Sequence, residues 1–406
     1  MLQKLVALNR EVNYRRLFPL QCSPSTLYLS DVFCNLLKIA VVGAGPAGSL
    51  VALNISDKAE VTVFEAKQLS GFPVKCGGLI SEECYNALSK YCRIRKSLLN
   101  RIDGAFFFSP DGRFAEVTGK TGGAVIERRV LDSMLMEKAG KGASIRIKSK
   151  VTGVAGNRLK VTSPEKSYIE SFDMVIGADG AESVVARNAG FERPEIYSGR
   201  QYLMEFEALS RDMVELYFGR KYSDGFFGYA IPISDDLARV GVVSRNNPSF
   251  YLENLIKNHP SVSRRAKKTI LEINMGPIPI GLIDFVKGST VLIGDSAGMV
   301  KPYTGGGLYY LLEAAEMFGE TFPNPEKFRI QYMRRFSKEY RSGERIRRLY
   351  EILNDEDYSV LIDIAKDVDF SKIHMDRPST AFDLIPQIMR LLRNPPLVTK
   401  LLRALF

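Results

Sequence analysis

The glycines Gly43, Gly45 and Gly48 give the segment GAGPAG the spacing G-x-G-x-x-G, with Ala47 inside the turn. A buried-strand pattern, KIAVV at residues 38–42, precedes them, and a helical pattern follows to about residue 56. In such a turn one glycine allows the sharp bend, the next lets backbone N–H groups approach a pyrophosphate, and the third lets helix and strand pack closely. The spacing predicts a dinucleotide-binding turn. The alternative is a glycine-rich turn in another kind of α/β protein.

An acidic residue, Glu65, closes the next strand pattern, VTVFEA at residues 61–66, and lies 22 residues after Gly43. A carboxylate at this distance can accept hydrogen bonds from the hydroxyl groups of a ribose. Its negative charge disfavours a ribose that carries a 2′-phosphate. The dinucleotide expected here is therefore FAD or NAD rather than NADP.

Three later segments bear on the choice between FAD and NAD: DMVIGADG at 173–180, TVLIGDSAG at 290–298, and the glycines at 305–307, which open a helical pattern. Each segment alone is typical of a buried strand or turn with a polar end. In this order, after the glycine turn, they resemble the flavoprotein monooxygenases and reductases that share the p-hydroxybenzoate hydroxylase fold. The resemblance implies FAD, with Asp295 on the ribityl chain and the helix N-terminus at the flavin pyrimidine carbonyl. A helix N-terminus there would stabilise an anionic reduced flavin.

Arg128 lies in the segment ERRVLDSML at the start of a helical pattern that spans residues 127–139. The segment resembles the R-x-x-[FL]-D-x-x-L pattern of the same flavoprotein group, which implies that Arg128 touches FAD. The alternative is a solvated arginine at a helix end, paired with Glu127 or Asp132.

The loop GFPVKCGGLIS at 71–81 indicates which family within this flavoprotein group the sequence resembles most. Its Pro73 and Cys76-Gly77-Gly78, together with KPYTGGGLYY at 301–310, are similar to the FAD-dependent geranylgeranyl reductase family, which includes the archaeal digeranylgeranylglycerophospholipid reductases. The resemblance implies reduction of carbon–carbon double bonds in the prenyl chains of lipids, with Cys76 near the flavin as the catalytic proton donor or as the holder of a water. The alternative for Cys76 is a small buried hydrophobe. The expected cofactor-binding residues are Gly43, Gly45, Ala47, Gly48, Glu65, Cys76, Gly77, Arg128, Asp179, Gly180, Gly294, Asp295, Gly306, Gly307 and Leu308.

One departure from the family leaves two other functions open. The family commonly has Y-x-W-x-F-P in its substrate sheet, whereas residues 227–232 read FGYAIP and the chain contains no tryptophan. An FAD monooxygenase, either a hydroxylase or a halogenase, acting on an aromatic or quinone substrate shares every cofactor motif. A flavin-binding protein without turnover is the third possibility. Aromatic residues at 202–229 would line an apolar substrate tunnel, or else form the core of the sheet.

The strand and helix patterns predict an α/β fold, in which a Rossmann-type FAD-binding domain is interleaved with an antiparallel-sheet substrate domain of α+β type. Strands are expected at 145–151, 157–162, 173–178 and 290–295, a hairpin at 106–117, and antiparallel strands between 202 and 244. The expected FAD-binding domain is discontinuous. We expect an N-terminal extension or misplaced start at 1–37, the FAD-binding domain at 38–100, 125–195 and 277–325, the substrate domain at 101–124 and 196–276, and a C-terminal helical region at 326–406.

Composition excludes several other classes. The chain has 406 residues, 45% of them hydrophobic and 25% charged, which is a globular balance. Its two histidines and five cysteines, without paired short spacings, predict no metal site and no disulfide framework, and they favour the cytoplasm. With a single dinucleotide turn, electrons must come from transiently docked NAD(P)H or from a protein such as ferredoxin. The net charge of +10 suits an acidic ferredoxin.

The C-terminal part is basic and amphipathic. Residues 333–350 contain seven Arg or Lys against two Glu, and the last 22 residues mix leucine and isoleucine with Arg390, Arg393, Lys400 and Arg403. Such helices can lie on an anionic membrane surface, which would make the protein a peripheral membrane protein. The alternative is a helical cap with a solvated basic face. No nucleic-acid-binding module is expected, because no recognised fold surrounds the basic residues.

Overall fold

The structure is a computed structural model that describes residues 36–74 and 76–405, without the side chains of Lys120 and Thr121. The predicted N-terminal extension lies outside the described residues apart from its last two. Within the described part the strands are β1 (Lys38–Val42), β2 (Glu60–Phe64), β3 (Leu79–Ser81), β4 (Leu98–Phe108), β5 (Phe114–Ile126), β6 (Ser144–Arg146), β7 (Lys150–Ala155), β8 (Arg158–Thr162), β9 (Ser167–Ser171), β10 (Met174–Gly177), β11 (Glu195–Phe206), β12 (Met213–Tyr217), β13 (Gly228–Pro232), β14 (Leu237–Ser244), β15 (Ala266–Ile280), β16 (Val286–Lys287) and β17 (Thr290–Leu292).

The helices of the described part alternate with the strands and then dominate the C-terminal region. They are α1 (Pro46–Ile55), α2 (Glu82–Ser89), α3 (Arg128–Ala139), α4 (Val184–Asn188), α5 (Pro248–Asn258), α6 (Val262–Arg265), α7 (Leu308–Thr321), α8 (Pro325–Ile352), α9 (Asp355–Ala365), α10 (Ile385–Leu391) and α11 (Pro395–Leu405). Short 3₁₀ turns span Ile94–Ser97, Gly294–Ala297 and Pro378–Leu384.

A six-stranded, mostly parallel sheet has the order β16-β17-β10-β1-β2-β6. Strands β17, β10, β1, β2 and β6 run parallel, and β16 pairs with β17 in the antiparallel direction. Because parallel strands end at the same edge, the segments that follow β1, β10 and β17 meet there. The Rossmann-type part of the predicted fold is confirmed. The strand predicted at 290–295 ends at Leu292, because the chain enters a 3₁₀ turn at Gly294.

An eight-stranded sheet has the order β15-β11-β14-β13-β12-β4-β5-β3. The pairs among β11 to β14 are antiparallel, as predicted for residues 202–244, whereas β12 runs parallel to β4. The hairpin predicted at 106–117 is longer, because β4 and β5 extend to residues 98 and 126. The 15-residue edge strand β15 was not predicted.

The predicted strand at 145–151 was wrong, because it is two strands that belong to different sheets. Residues 144–146 form β6 of the parallel sheet, and β7 starts at Lys150 in a three-stranded sheet of order β7-β8-β9. Between them Lys148 has a φ of 52°, in the left-handed region that an extended strand does not visit. The chain therefore turns at this point and leaves the first sheet.

The C-terminal region is helical, as predicted, and packs on the rest of the molecule. The 28-residue helix α8 buries the aromatic side chains of Phe328, Tyr332, Phe336 and Tyr340, and the ring of Tyr310 in α7 contacts two of them, Phe336 and Tyr340. Among the described residues, no helix combines the length and the apolar character that crossing a membrane would require.

Candidate functional site

The glycine turn after β1 is packed on two sides and open on the third. Gly43 has a φ of 100°, and a side chain there would overlap the carbonyl oxygen of Ala178. A side chain at Gly48 would overlap the carbonyl oxygen of Gly43, so that α1 sits directly against the turn. A Cβ atom at Gly45, by contrast, would have no atom within 4 Å. The space beside Gly45, at the N-terminus of α1, therefore fits a phosphate group.

Glu65 follows β2 and lies beside the same turn. Its Oε2 accepts a hydrogen bond of 2.8 Å from the backbone N–H of Ala44, and its Oε1 accepts one of 2.8 Å from the N–H of Lys67. These bonds fix the carboxylate next to the glycine turn. Each carboxylate oxygen can accept a second hydrogen bond, so the side chain retains the capacity to bind the hydroxyl groups of a ribose.

The segment after β10 reaches the same edge of the sheet. Asp179 accepts a hydrogen bond of 2.6 Å from the Ser183 hydroxyl and one of 2.7 Å from the backbone N–H of Val184, at the start of α4. Burial raises the pKa of Asp179, and these hydrogen bonds oppose the rise. Gly180 has a φ of 82° and open space where a Cβ would lie. Asp179 thus holds the start of α4, and its role in cofactor binding stays a prediction.

The segment after β17 packs against α1 and leads into α7. Gly294 has a φ of 80°, and a Cβ there would lie 2.9 Å from the Cβ of Ala47. A Cβ at Gly307, the residue before the first helical residue Leu308, would lie 3.5 Å from Oδ1 of Asp295. The Asp295 carboxylate therefore lies at the N-terminus of α7.

Cys76 and the two glycines after it form a loop that is fastened to the eight-stranded sheet. The carbonyl oxygen of Cys76 accepts a hydrogen bond of 3.2 Å from Nε2 of Gln201, and that of Gly77 accepts one of 2.8 Å from Nη1 of Arg239. The carbonyl oxygen of Gly78 accepts a third, of 2.9 Å, from the N–H of Ile126. The loop is thereby bound to β5, β11 and β14.

The loop also lies in close contact with one face of that sheet. A Cβ at Gly77 would lie 2.8 Å from Cδ1 of Ile231, and the hydroxyl of Tyr229 donates a 2.9 Å hydrogen bond to Oε1 of Gln201. Gln201 and Tyr229 both pair with Gly241 of β14, so they share this face. A side chain at Gly241 would collide with the Tyr229 ring. Only glycine at this position lets the ring lie across β14, next to the loop.

Arg128 of α3 is an electrostatic neighbour of Cys76 and pairs with Asp132. Its Nε and Nη2 donate hydrogen bonds of 2.9 and 3.1 Å to the carboxylate of Asp132. Burial lowers the pKa of Arg128, but the negative charge of Asp132 and the interaction with Cys76 outweigh it and raise the pKa. The side chain is 19% exposed, so the arginine is paired with Asp132 without being solvated.

The sequence did not point to the residues that hold the Cys76 loop. Gln201 and Arg239 are separated from it by more than a hundred residues, and only the structure shows their hydrogen bonds to it. Arg239 is 4% exposed and also contacts Glu127, with 3.0 Å between Nη2 and Oε2. A single arginine in the otherwise apolar strand LARVGVVS was the available signal, because a buried charge needs partners.

The aromatic residues predicted to line a tunnel divide between the two faces of the sheet. Tyr229 lies on the face that carries the Cys76 loop, and Phe227 is two residues before it in an extended segment. Phe226 and Phe227 are buried and pack against Tyr350 of α8. Tyr202, Phe206 and Tyr217 belong to a second core cluster, with Leu252 and Leu255 of α5.

The assembled residues fit an FAD. The open positions at Gly45 and Gly180, the helix N-terminus at Gly307 and the carboxylates of Glu65 and Asp295 all meet at the carboxyl edge of the parallel sheet. Cys76, Cys84 and Cys92 are free thiols. In the described part of the chain, no three His, Cys, Asp or Glu side chains are placed to hold a metal ion together.

Comparison with known proteins gives one family and one fold. Residues 38–356 match the protein family described as "Lycopene cyclase protein". The chain is 32% identical over 310 residues to the digeranylgeranylglycerophospholipid reductase of Methanosarcina mazei, which spans 70% of this chain and 74% of that protein. It is 30% identical over 362 residues to the protein of the same name from Methanocaldococcus jannaschii, spanning 82% of this chain and 90% of that protein.

Solved structures share the fold at lower identity. The geranylgeranyl bacteriochlorophyll reductase-like protein of Thermoplasma acidophilum superimposes with a TM-score of 0.76 at 23% identity, and the alignment covers 88% of this chain and 99% of that one. The flavin-dependent halogenase CmlS gives a TM-score of 0.63 at 16% identity, covering 87% and 77%. Reductases and halogenases therefore both use this architecture.

Proposed function

We propose which reaction this protein catalyses. The chain belongs to the family of the digeranylgeranylglycerophospholipid reductases and is an FAD-dependent oxidoreductase. Its substrate in this proposal is the geranylgeranyl chain of a membrane lipid precursor, and its reaction is the reduction of carbon–carbon double bonds in that chain. The observation that carries the proposal is the Cys76 loop. It is hydrogen-bonded to β5, β11 and β14, lies against Tyr229 and Ile231, and has Arg128 as an electrostatic neighbour of Cys76.

In this proposal the glycine turn, Glu65 and Asp295 would hold the nucleotide and ribityl parts of FAD, and the N-terminus of α7 would stabilise negative charge on the reduced flavin. The chemistry that bound, reduced FAD would supply is a hydride for one carbon of the double bond. Cys76 Sγ, or a water that it holds, supplies the proton that the other carbon takes up. Hydride and proton together account for both added hydrogens, and the thiol regains its proton from solvent.

Positioning has to provide much of the catalysis, because an isolated alkene develops no oxyanion that the protein could stabilise. The sheet face next to the loop contributes Tyr229 and Ile231, which are two residues apart along β13. Alternation places their side chains on the same side. This apolar surface would hold a prenyl chain against the Cys76 loop and exclude water from it.

The proposal extends to the source of electrons and to the membrane. The expected donor is docked NAD(P)H or an acidic ferredoxin, whose charge would complement the net charge of +10. A peripheral contact with a membrane surface would give the protein access to a lipid substrate.

The test is mass spectrometry of a geranylgeranylated glycerophospholipid after anaerobic incubation with FAD-loaded protein that has been reduced with dithionite. A mass increase by whole pairs of hydrogens supports the proposal. An unchanged lipid, with flavin reduction confirmed by absorbance, contradicts it. The next experiment would then supply oxygen and aromatic or quinone substrates to test the monooxygenase alternative.

A further inference from the structure

The C-terminal helices line a cavity of about 190 Å³, and no residue of the Cys76 loop is part of the lining. Every residue that lines it is apolar. They include Ile388 and Met389 of α10 and Leu401, Leu402 and Leu405 of α11. Apolar cavities of this size stay free of water and accept apolar ligands. The cavity therefore offers a site for a hydrocarbon chain.

The cavity reaches the protein surface at Leu402. This side chain lines the cavity and is also 43% exposed, and Leu391 at the end of α10 is 39% exposed. The partly exposed Leu402 leaves an apolar rim of the cavity open to solvent. Such a rim is typical of helices that place leucines at the boundary between headgroups and hydrocarbon chains.

The charged side chains of α10 and α11 are all basic, whereas the exposed Asp367 and Asp369 flank Val368 of the cavity lining. Residues 384–406 contain Arg390, Arg393, Lys400 and Arg403 and no acidic residue. Lys400 pairs with Asp357, but the three arginines are exposed, and none forms an ion pair with a described acidic side chain. They are therefore available to anions outside the protein.

We infer that α10 and α11 dock on an anionic membrane surface and that the cavity takes the end of one hydrocarbon chain of an anionic lipid. The three arginines bind the headgroups, and the apolar rim at Leu402 admits the end of the chain. This inference rests on the membrane contact proposed above, but not on the reductase reaction. It names the contact surface and the lipid class.

A tryptophan placed at the rim reports on docking through its fluorescence, and no other tryptophan contributes to this emission because the chain contains none. We would compare FAD-loaded Leu402→Trp with a control, Phe250→Trp, whose site on α5 is 64% exposed. With vesicles of equal parts phosphatidylglycerol and phosphatidylcholine carrying brominated acyl chains, the emission at position 402 should shift to the blue and be quenched. The control should do neither, and vesicles of phosphatidylcholine alone should have little effect.

The charge requirement is tested by sedimentation with the same vesicles. Each of Arg390→Gln, Arg393→Gln and Arg403→Gln should weaken binding roughly fivefold, and the triple variant on the order of a hundredfold, since each basic residue near such a surface contributes about 1 kcal/mol. Added salt should weaken the binding of the unsubstituted chain. This salt series needs no variant and remains informative if one fails to fold. Equal binding to neutral and anionic vesicles contradicts the inference.

Chain entry is tested by filling the cavity. Ala365 lines it, so Ala365→Phe in the Leu402→Trp background should reduce the quenching severalfold while vesicle binding persists. Unchanged quenching would show that no lipid chain enters, which overturns that part of the inference. If a geranylgeranyl lipid without vesicles shifts the emission and phosphatidylglycerol vesicles do not, the cavity belongs to the substrate site and the inference is wrong. Vesicle binding without any prenyl reduction would leave it standing while the proposed reaction fails.

Discussion

Lys301 and Asp376 form a buried salt bridge between the segment that precedes the triple glycine and the C-terminal helical region. The distance from Nζ to Oδ1 is 2.8 Å, and the two side chains are 9% and 2% exposed. Asp376 also accepts a hydrogen bond from Ser81 at the start of α2, and the carbonyl oxygen of Met375 accepts one of 2.5 Å from the Tyr303 hydroxyl. The chain around residue 376 is thereby fastened to two segments of the candidate site.

Removal of one partner of this pair should be strongly destabilising. Burial raises the pKa of Asp376, but the charge of Lys301 outweighs it and holds the pKa below its usual value. Asp376→Ala leaves the Lys301 ammonium buried without its counter-ion, so we expect a loss of about 3–5 kcal/mol in the free energy of unfolding. Urea denaturation measures this loss.

The double variant Lys301→Met/Asp376→Leu is the matched control, because it removes both charges and fills the same space. It should be much closer in stability to the original chain than Asp376→Ala is. If the single and the double variants lose the same amount, the pair contributes through packing and not through charge.

Two alanine substitutions in the glycine turn should have different effects: one should mainly weaken FAD binding, and the other should mainly lower stability. Gly45→Ala places a methyl group where no atom lies within 4 Å, so the free energy of unfolding should change by less than about 0.5 kcal/mol. The affinity for FAD should fall at least about tenfold, because the backbone would lose its contact with the pyrophosphate. Gly48→Ala forces a methyl group into the Gly43 carbonyl oxygen and should cost about 1–3 kcal/mol in stability. Thermal unfolding and flavin titration separate the two effects.

The sequence predicted the parallel sheet and its cofactor edge because those features are local. The glycine spacing, the acidic residue at the end of β2 and the apolar strands β1, β10 and β17 each occupy a short stretch of chain. The fold then requires the ends of parallel strands to meet. Even so, the end of β17 was placed wrongly, because the left-handed Gly294 and the 3₁₀ turn after it give no apolar signal.

The surroundings of Cys76 could not be predicted in the same way. Gln201, Tyr229 and Arg239 reach the loop because the register of β11, β13 and β14 places them on one face, and a shift of one residue would turn each of them away. Register depends on contacts between distant strands and not on the local pattern. Arg128 illustrates the same limit: the structure shows its pairing with Asp132, which was one alternative, whereas its contact with FAD stays a prediction.

Substitution of Cys76 should separate its chemistry from its packing. If its thiol supplies the proton, Cys76→Ala should slow reduction of a prenyl substrate by about 10²–10⁴-fold without weakening FAD binding. Cys84→Ala is the matched control, because burial of Cys84 in α2 raises the pKa of its thiol and keeps it protonated. The control should lower stability but leave the rate unchanged. Equal rates for both variants would assign the proton to another group.

His259 should make the protein less stable in mild acid. Its ring is fully buried, packs against Phe108, Tyr217 and Tyr222, and makes hydrogen bonds through both nitrogens. Burial, the largest effect, lowers the pKa of His259 from 6.5 to about 4. In the unfolded chain, the imidazole of His259 therefore binds a proton below about pH 6.5. In the folded chain it binds this proton only below about pH 4. The contribution of the neutral His259 to the free energy of unfolding is fully present above about pH 6.5 and is lost as the pH falls from there to about pH 4.

The expected loss from this histidine between about pH 7 and about pH 5 is about 2 kcal/mol in the free energy of unfolding. In His259→Asn the amide oxygen can still accept the hydrogen bond from the N–H of Ser261, which Nδ1 accepts at 3.2 Å, but the side chain cannot titrate. This variant should be less stable than the original chain at neutral pH. Between the two pH values, its free energy of unfolding should fall by about 2 kcal/mol less than that of the original chain. Urea denaturation of both chains at each pH gives the difference. Parallel losses would show that carboxylates, and not His259, set the acid sensitivity.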